Sequence, residues 1–251
     1  MRDPASGWLQ LSSAEFFLLW TAMGLGEPPT PLEITHIGRT RESRAAMTAE
    51  ASRALTDRDL GTVEDPARDV AGVLQTLAGG TVTMDLRVLG PGSPLVGYAA
   101  ADSRRAAVAA RVDGEIRLGA VRTNALAGAL LDSLPPMTAG AGRPANVSVA
   151  DFERACAEGE RDGVSGFVRV LHEAGLRAPE ASAFARALTT RRGGGQLGAS
   201  SRGHRAPGVV SWVDADDGRY ALRRHGAWVT VTPVDLPRLT TMADELLADV
   251  R

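Results

Sequence analysis

The sequence predicts an α+β fold, a duplicated, quasi-two-fold unit with a central antiparallel β-sheet flanked by helical bundles. Three observations carry this. Residues 193–236 read as four consecutive strands and then a helix, and residues 81–134 read as strands followed by a helix in the same order. Each run holds an Asp-Gly pair between apolar segments, Asp113-Gly114 in one and Asp217-Gly218 in the other, a strong short hairpin signal because both central turn positions favour positive φ. Each meander passes almost directly into its closing helix, at Thr123 and at Pro233. Helices, meander and closing helix, twice over, imply two copies of one unit whose meanders join into one large antiparallel sheet.

The elements follow in order. Ser12 or Ser13 caps a helix reaching about residue 25, where Gly24, Gly26 and Pro28-Pro29 stop it, and Phe16, Leu19, Trp20 and Met23 fall on its core face. A Pro-rich link leads to a helix over 42–55, and Asp65-Pro66 opens another that ends at Gly79-Gly80. Strands are expected over 81–89, 95–101, 104–112 and 115–121, with a helix over 124–134 ended by Pro135-Pro136. Residues 137–146, rich in Pro, Gly and Ala, read as a linker. Helices over 149–158, 163–174 and 179–189, strands from 194 to 232 and a helix over 235–250 complete the chain. The expected organisation is thus an N-terminal α+β half (1–136), a linker (137–146) and a C-terminal α+β half (147–251) sharing the same central sheet.

The C-terminal meander invites a register. With Asp217-Gly218 as a two-residue loop, Val213 lies opposite Leu222, Ala215 opposite Tyr220 and Trp212 opposite Arg223; with His225-Gly226 as the next loop, Arg223 faces Trp228 and Leu222 faces Val229. One face then carries Val213, Ala215, Tyr220, Leu222, Val229 and Val231, a core face. The other carries Trp212, Arg223 and Trp228 in a row beside Asp214, Ala221 and Thr230. An arginine between two indoles is a cation–π arrangement worth about 0.5 to 2 kcal/mol, and this second face is the first candidate for a partner site. A covering helix or loop, or a solvated ladder, would explain the same row.

Composition narrows the function classes. At 251 residues the chain buries enough apolar surface to fold without staples, and the lone Cys156, four residues after Phe152, reads as a structural thiol of a reducing compartment. The net charge is −2 and the 28 cations are all arginine, spread along the chain, so no nucleic-acid footprint emerges. No apolar run is long enough to span a membrane, and the stretch 16–25 lacks a signal-peptide pattern, which leads to an expected cytoplasmic location. Residues 193–198 formally match GxGxxG but lack the preceding strand and following helix that dinucleotide binding needs. The acids at 214–217 miss calcium-loop spacing, the four histidines share no metal-ligand spacing, and no GxSxG elbow is present. No cofactor and no catalytic residue is assigned.

The segments Gly195-Gln196-Leu197-Gly198, 209–213, Asp217-Gly218-Arg219-Tyr220 and Trp228-Val229-Thr230-Val231-Thr232-Pro233 resemble the C-terminal signature of the EspG family, and the opening helix with Trp20, the Pro-rich 26–31 and the helix at Asp65-Pro66 are similar too. The resemblance implies a non-enzymatic cytoplasmic specificity chaperone of type VII (ESX) secretion with a quasi-symmetric α+β fold. Its implied partner is a helical secretion substrate, a PE–PPE-like heterodimer whose aggregation-prone tip is held by the sheet face and the C-terminal bundle. The short connection 90–94 implies that a long client-gripping loop between early strands is missing. Register and resemblance together nominate Gln196, Trp212, Asp214, Arg223, Trp228 and Thr230 as partner-binding residues. An exposed sheet face would equally serve a homodimer, and the competing function is a small-ligand-binding or enzymatic domain with a pocket between helices and sheet.

Overall fold

A computed structural model describes residues 7–250. The N-terminal series runs β1 (Leu9–Ser12), α1 (Ser13–Ala22), α2 (Arg41–Thr56), α3 (Arg68–Gly79), β2 (Val82–Leu89), β3 (Leu95–Ala101), β4 (Ala106–Val112), β5 (Glu115–Val121) and α4 (Leu126–Leu131). The C-terminal series runs β6 (Ala145–Ser148), α5 (Val149–Glu173), α6 (Ala178–Thr189), β7 (Arg191–Ser201), the two-residue β8 (His204–Arg205), β9 (Val210–Ala215), β10 (Gly218–His225), β11 (Trp228–Pro233) and α7 (Leu236–Ala248). The eleven strands among the described residues form one sheet in the order β1-β5-β4-β3-β2-β7-β9-β10-β11-β6, with β8 beside β7, and every pairing between them is antiparallel. The expected α+β fold with a central antiparallel sheet is what the chain adopts.

The two series match in detail. Leu86 pairs with Leu197 where β2 meets β7, so the meanders join through corresponding strands. Each series opens with a four-residue edge strand whose last residue caps the next helix. Ser12 Oγ accepts from Glu15 N at 3.1 Å, and Ser148 Oγ accepts from Asp151 N at 3.0 Å. The first helical residue of each then donates to the hairpin turn beside it, Ser13 N to Gly114 O at 2.9 Å and Val149 N to Ala227 O at 2.8 Å. These edge strands were not expected, because four residues ending in a cap give almost no alternation to read.

Alternation sorts the sheet into two sides. On one, α4 and α7 cover Met84, Leu86, Ala99, Val108, Leu197, Val210 and Trp212. On the other, α1 and α3 cover Ala100, Ala107, Ala109, Ile116 and Leu118, while α5 and α6 cover Val213, Ala215, Tyr220, Val229 and Val231. This second side, called here the bundle side, therefore carries two separate helical layers. The stretch expected as a linker is held to the sheet: Arg219 N donates to Thr138 O, Gly140 N donates to Arg219 O, and β6 begins at Ala145. The break expected between helices 149–158 and 163–174 appears as Gly163, at φ 66 and ψ −154, inside α5. Residue 166 then passes close enough to Glu158 that a Cβ there would lie 2.7 Å from its carbonyl oxygen.

The register of the C-terminal meander differs from expectation by a slide of two residues. Tyr220 pairs with Val213 and Ala221 with Trp212, so the first loop is Asp216-Asp217; His225 pairs with Trp228 and Arg223 with Thr230, so the second is Gly226-Ala227. Gly218 is needed for a different reason than a turn. A Cβ there would sit 2.7 Å from the backbone of Thr138, Ala139 and Gly140, so glycine lets that segment lie against the strand. In the N-terminal meander the expected turn forms: Asp113 and Gly114 have φ 51 and 78, and Val112 pairs with Glu115.

Candidate interaction surface

The slide preserves which side each residue faces, because side chains alternate with a period of two. Trp212, Asp214, Arg223, Trp228 and Thr230 do share a side, but it is the side of α4 and α7, and those helices bury part of the row. Trp212 is 2% exposed and Asp214 is buried, which removes both from any surface a partner can reach. The cation over the Trp212 indole is Arg219, at 5.9 Å, in place of Arg223. Arg219 is 0% exposed and forks onto Asp214, with Nε to Oδ1 at 2.6 Å and Nη2 to Oδ2 at 3.2 Å. Arg223 and Trp228 do reach water, with Trp228 55% exposed, while Thr230 is half-buried and donates to Asn146 Oδ1 at 2.7 Å. Gln196 pairs with Ser211 and Arg87, which puts it on the bundle side, across the sheet from the other five.

Gln196 belongs instead to a second surface, outside the C-terminal meander. Between the two helical layers, no α-helix among the described residues covers the bundle side of β2 and β7. Thr83, Asp85, Arg87 and Leu89 of β2, with Gln196 and Ser200 of β7 and Ser211 of β9, are half-buried or exposed, whereas Met84, Leu86, Leu197 and Ala199 on the opposite side are buried. The strip lies where the two series meet. The sequence signal for it is the polarity of alternate residues from Thr83 to Arg87, which lies outside the C-terminal meander.

Ion pairs hold the side chains of this strip. Arg205, reaching across from β8, clasps Asp85 with Nη1 to Oδ1 at 2.6 Å and Nη2 to Oδ2 at 3.1 Å. Glu33 follows a short 3-10 turn over Thr30–Leu32, with Leu32 buried, and its carboxylate bridges Arg87 and Arg111. Arg111 Nε also donates to Leu32 O at 2.6 Å, so the Pro-rich segment is bolted to the sheet as one wall of the strip. A Cβ at Gly198 would fall on the Arg205 guanidinium, so glycine there makes room for that clasp. Leu89, 50% exposed at the end of β2, adds apolar surface to the polar floor.

Other features bear less on binding. A cavity of about 720 Å3 opens between the edge of the sheet and α4, lined by Trp8, Leu95, Ala110, Glu115, Arg117 and Asp132 among others. Cys156 is half-buried, and burial together with the carboxylates of Glu160 and Glu153 pushes its thiol up, which suppresses the nucleophilic thiolate. Among the described residues no group of three His, Cys, Asp or Glu side chains is placed to hold a metal ion, and no helix is long and apolar enough to cross a membrane.

A search of curated proteins found no match. Among solved structures, the fold is similar to that of the Mycobacterium tuberculosis type VII secretion system chaperone EspG5, solved in complex with the PE25–PPE41 dimer. The TM-score is 0.76 at 14% identity, over 97% of each chain, which establishes the shared fold. The sequence itself matches the EspG family across residues 12–245, both edge strands' helices and both meanders included, and the chain belongs to that family.

Proposed function

We propose that this protein is a cytoplasmic, non-enzymatic specificity chaperone of type VII secretion that covers the aggregation-prone tip of a helical PE–PPE-like heterodimer and keeps it soluble for export. The observation that carries the reading is the open strip between the helical layers, in a chain of the EspG family. An apolar client tip is unstable in water, and a preformed surface covers it with little ordering cost. The strip is preformed in that sense, since Asp85, Arg87, Arg111 and Arg205 are already fixed by ion pairs. Leu89 and the aliphatic stems of Arg87 and Gln196 offer apolar contact, and the remaining amide and hydroxyl groups of Gln196 and Ser211 offer hydrogen bonds. A specific contact of this kind buries about 1,200 to 2,000 Å2 in total, more than the strip alone provides, so the flanking α5–α6 layer is part of the interface.

The test is co-expression of the tagged chain with PE–PPE-like pairs from the same genome, followed by affinity capture and mass spectrometry. Stoichiometric recovery of one pair supports the reading, and Leu89→Glu with Gln196→Arg lowers that recovery at least tenfold at an unchanged melting temperature. Recovery of the chain alone at every salt concentration disposes of it. The cavity beside Trp8 favours a second reading, small-ligand binding. A metabolite that binds there raises stability by about 2.7 kcal/mol at one hundred times its Kd, and a thermal-shift screen would detect it.

A further inference from the structure

We propose that the outer end of the β10–β11 hairpin is a second docking site, distinct from the strip, that takes an acidic segment of a protein partner. It lies at the far end of the sheet and on the opposite side. Trp228 pairs with His225 across the strands, and Arg223 sits one step inward opposite Thr230, so indole, imidazole and guanidinium share one uncovered patch. Arg224 projects from the same turn toward the other side, and all four side chains are exposed.

The chemistry of the patch is one-sided. Guanidinium groups and the indole N–H donate hydrogen bonds and accept none. Thr230 Oγ1 donates to Asn146 Oδ1, which leaves the exposed Asn146 amide nitrogen as a further outward donor. Among the described residues no carboxylate pairs with Arg223 or Arg224, in contrast to Arg154, Arg169, Arg177 and Arg192, each of which is held by an acid. A hairpin end made almost entirely of donors, with the Arg223 guanidinium beside the indole on one side and the Arg224 guanidinium at its rim on the other, is complementary to carboxylates and to the apolar residues beside them.

Charge chooses the occupant. A second copy docked symmetrically would set Arg223 and Arg224 against themselves, and the acids at the opposite end of this meander are already engaged, Asp216 by Arg192 and Asp217 by Arg186 and Tyr220. Extended polyanions such as nucleic acid or an anionic membrane would meet the whole molecule, whose net charge is −2, whereas a short acidic segment meets only the patch.

The probe is a synthetic peptide of alternating Glu and Leu residues, titrated into the full chain at low salt while tryptophan fluorescence is followed. Trp20 and Trp212 are buried and Trp8 is half-buried, so the signal is assigned to Trp228 by its loss on substitution. The expected result is saturation that weakens at least tenfold in Arg223→Glu/Arg224→Glu and disappears in Trp228→Phe as a signal, with thermal unfolding unchanged. It also weakens with added salt, and a Lys/Leu peptide gives no response. No saturation, or equal binding by the charge-reversed variant, overturns the proposal. Tighter binding of anionic vesicles or single-stranded DNA than of the peptide overturns it too, by assigning the patch to polyanions. Because Leu89 and Gln196 lie on the other side, the Leu89→Glu/Gln196→Arg variant keeps this binding, which separates failure here from failure of the chaperone reading.

Discussion

The two halves of the sheet occupy equivalent places but fill them differently. In the N-terminal meander, Ala99 pairs with Val108 and Ala101 with Ala106. At the corresponding crossings of the C-terminal meander, Trp212 pairs with Ala221 and Asp214 with Arg219. Small residues let a helix come close. A Cβ on Gly97 would stand 2.7 Å from the Leu130 side chain, so α4 rests directly on a floor of glycine and alanine. Under α7 the floor carries an indole and a buried ion pair instead, and the guanidinium of Arg219 also reaches Pro135 O at 3.4 Å. One scaffold therefore closes its core once by close approach and once by filling, and the filled half anchors the segment that joins the two series.

This difference makes the largest prediction. Arg219→Met leaves Asp214 buried without its partner and costs about 3 to 5 kcal/mol in urea unfolding. Asp214→Leu combined with Arg219→Met recreates the apolar crossing of the N-terminal half and recovers most of that loss. Recovery is expected because the pair is imperfectly satisfied, with Arg219 Nη1 and Trp212 Nε1 both buried and lacking a hydrogen-bond partner. A double variant as unstable as the single one would show that the ion pair, and not its absence of charge balance, holds residues 135–140 in place. Trp212→Ala costs about 3 to 5 kcal/mol by emptying the space α7 spans, so it cannot serve as a probe of binding.

The two Asp-Gly pairs sharpen the comparison further. Gly114 lies in a true hairpin turn with nothing within 4 Å of a Cβ, whereas Gly218 at φ 137 opens a strand and faces the backbone of 138–140. Gly218→Ala should therefore cost about 2 to 3 kcal/mol, from strain together with overpacking. Gly114→Ala should cost about 1 kcal/mol, from the left-handed conformation alone. Equal losses would mean that the segment over Gly218 moves aside freely.

The same pair explains what the sequence could and could not disclose. Residues 95–101 and 115–121 were legible to the residue, because apolar runs there are bounded by Pro, Asp and Gly. The side each C-terminal residue faces was legible as well, since alternation from Val209 to Thr232 permits only one parity. A slide of two residues leaves that alternation intact, so the register rested on the turn alone, and Asp217-Gly218 is a close approach in the guise of a turn. Which side a helix covers was not legible, because Trp212 and Asp214 alternate with Val213 and Ala215 and all four are buried. Gln196 was placed on the correct strand but grouped with residues from the other side, and the strip it belongs to depends on where two distant helical layers stop.

The smallest effect on stability is expected where the halves differ most at the surface. Glu115 and Trp228 each follow the two-residue turn of their meander and each pairs with the capping serine of the adjacent edge strand, Ser12 or Ser148. Glu115 is tied down by Gln10, whose amide donates to it at 2.6 Å. Trp228 has no such partner among the described residues and leaves 55% of its surface in water. Trp228→Ala should therefore change unfolding free energy by no more than about 0.5 kcal/mol, the usual range for an exposed site. Trp228→Glu, which copies the N-terminal half, should do the same while weakening the preference of the hairpin end for acidic ligands. If either variant instead loses 2 kcal/mol or more, the indole is packed against its own chain and the asymmetry belongs to folding. If stability holds, an exposed indole beside two unpaired arginines contributes nothing to the fold that carries it, and the asymmetry has to be sought in what the hairpin binds.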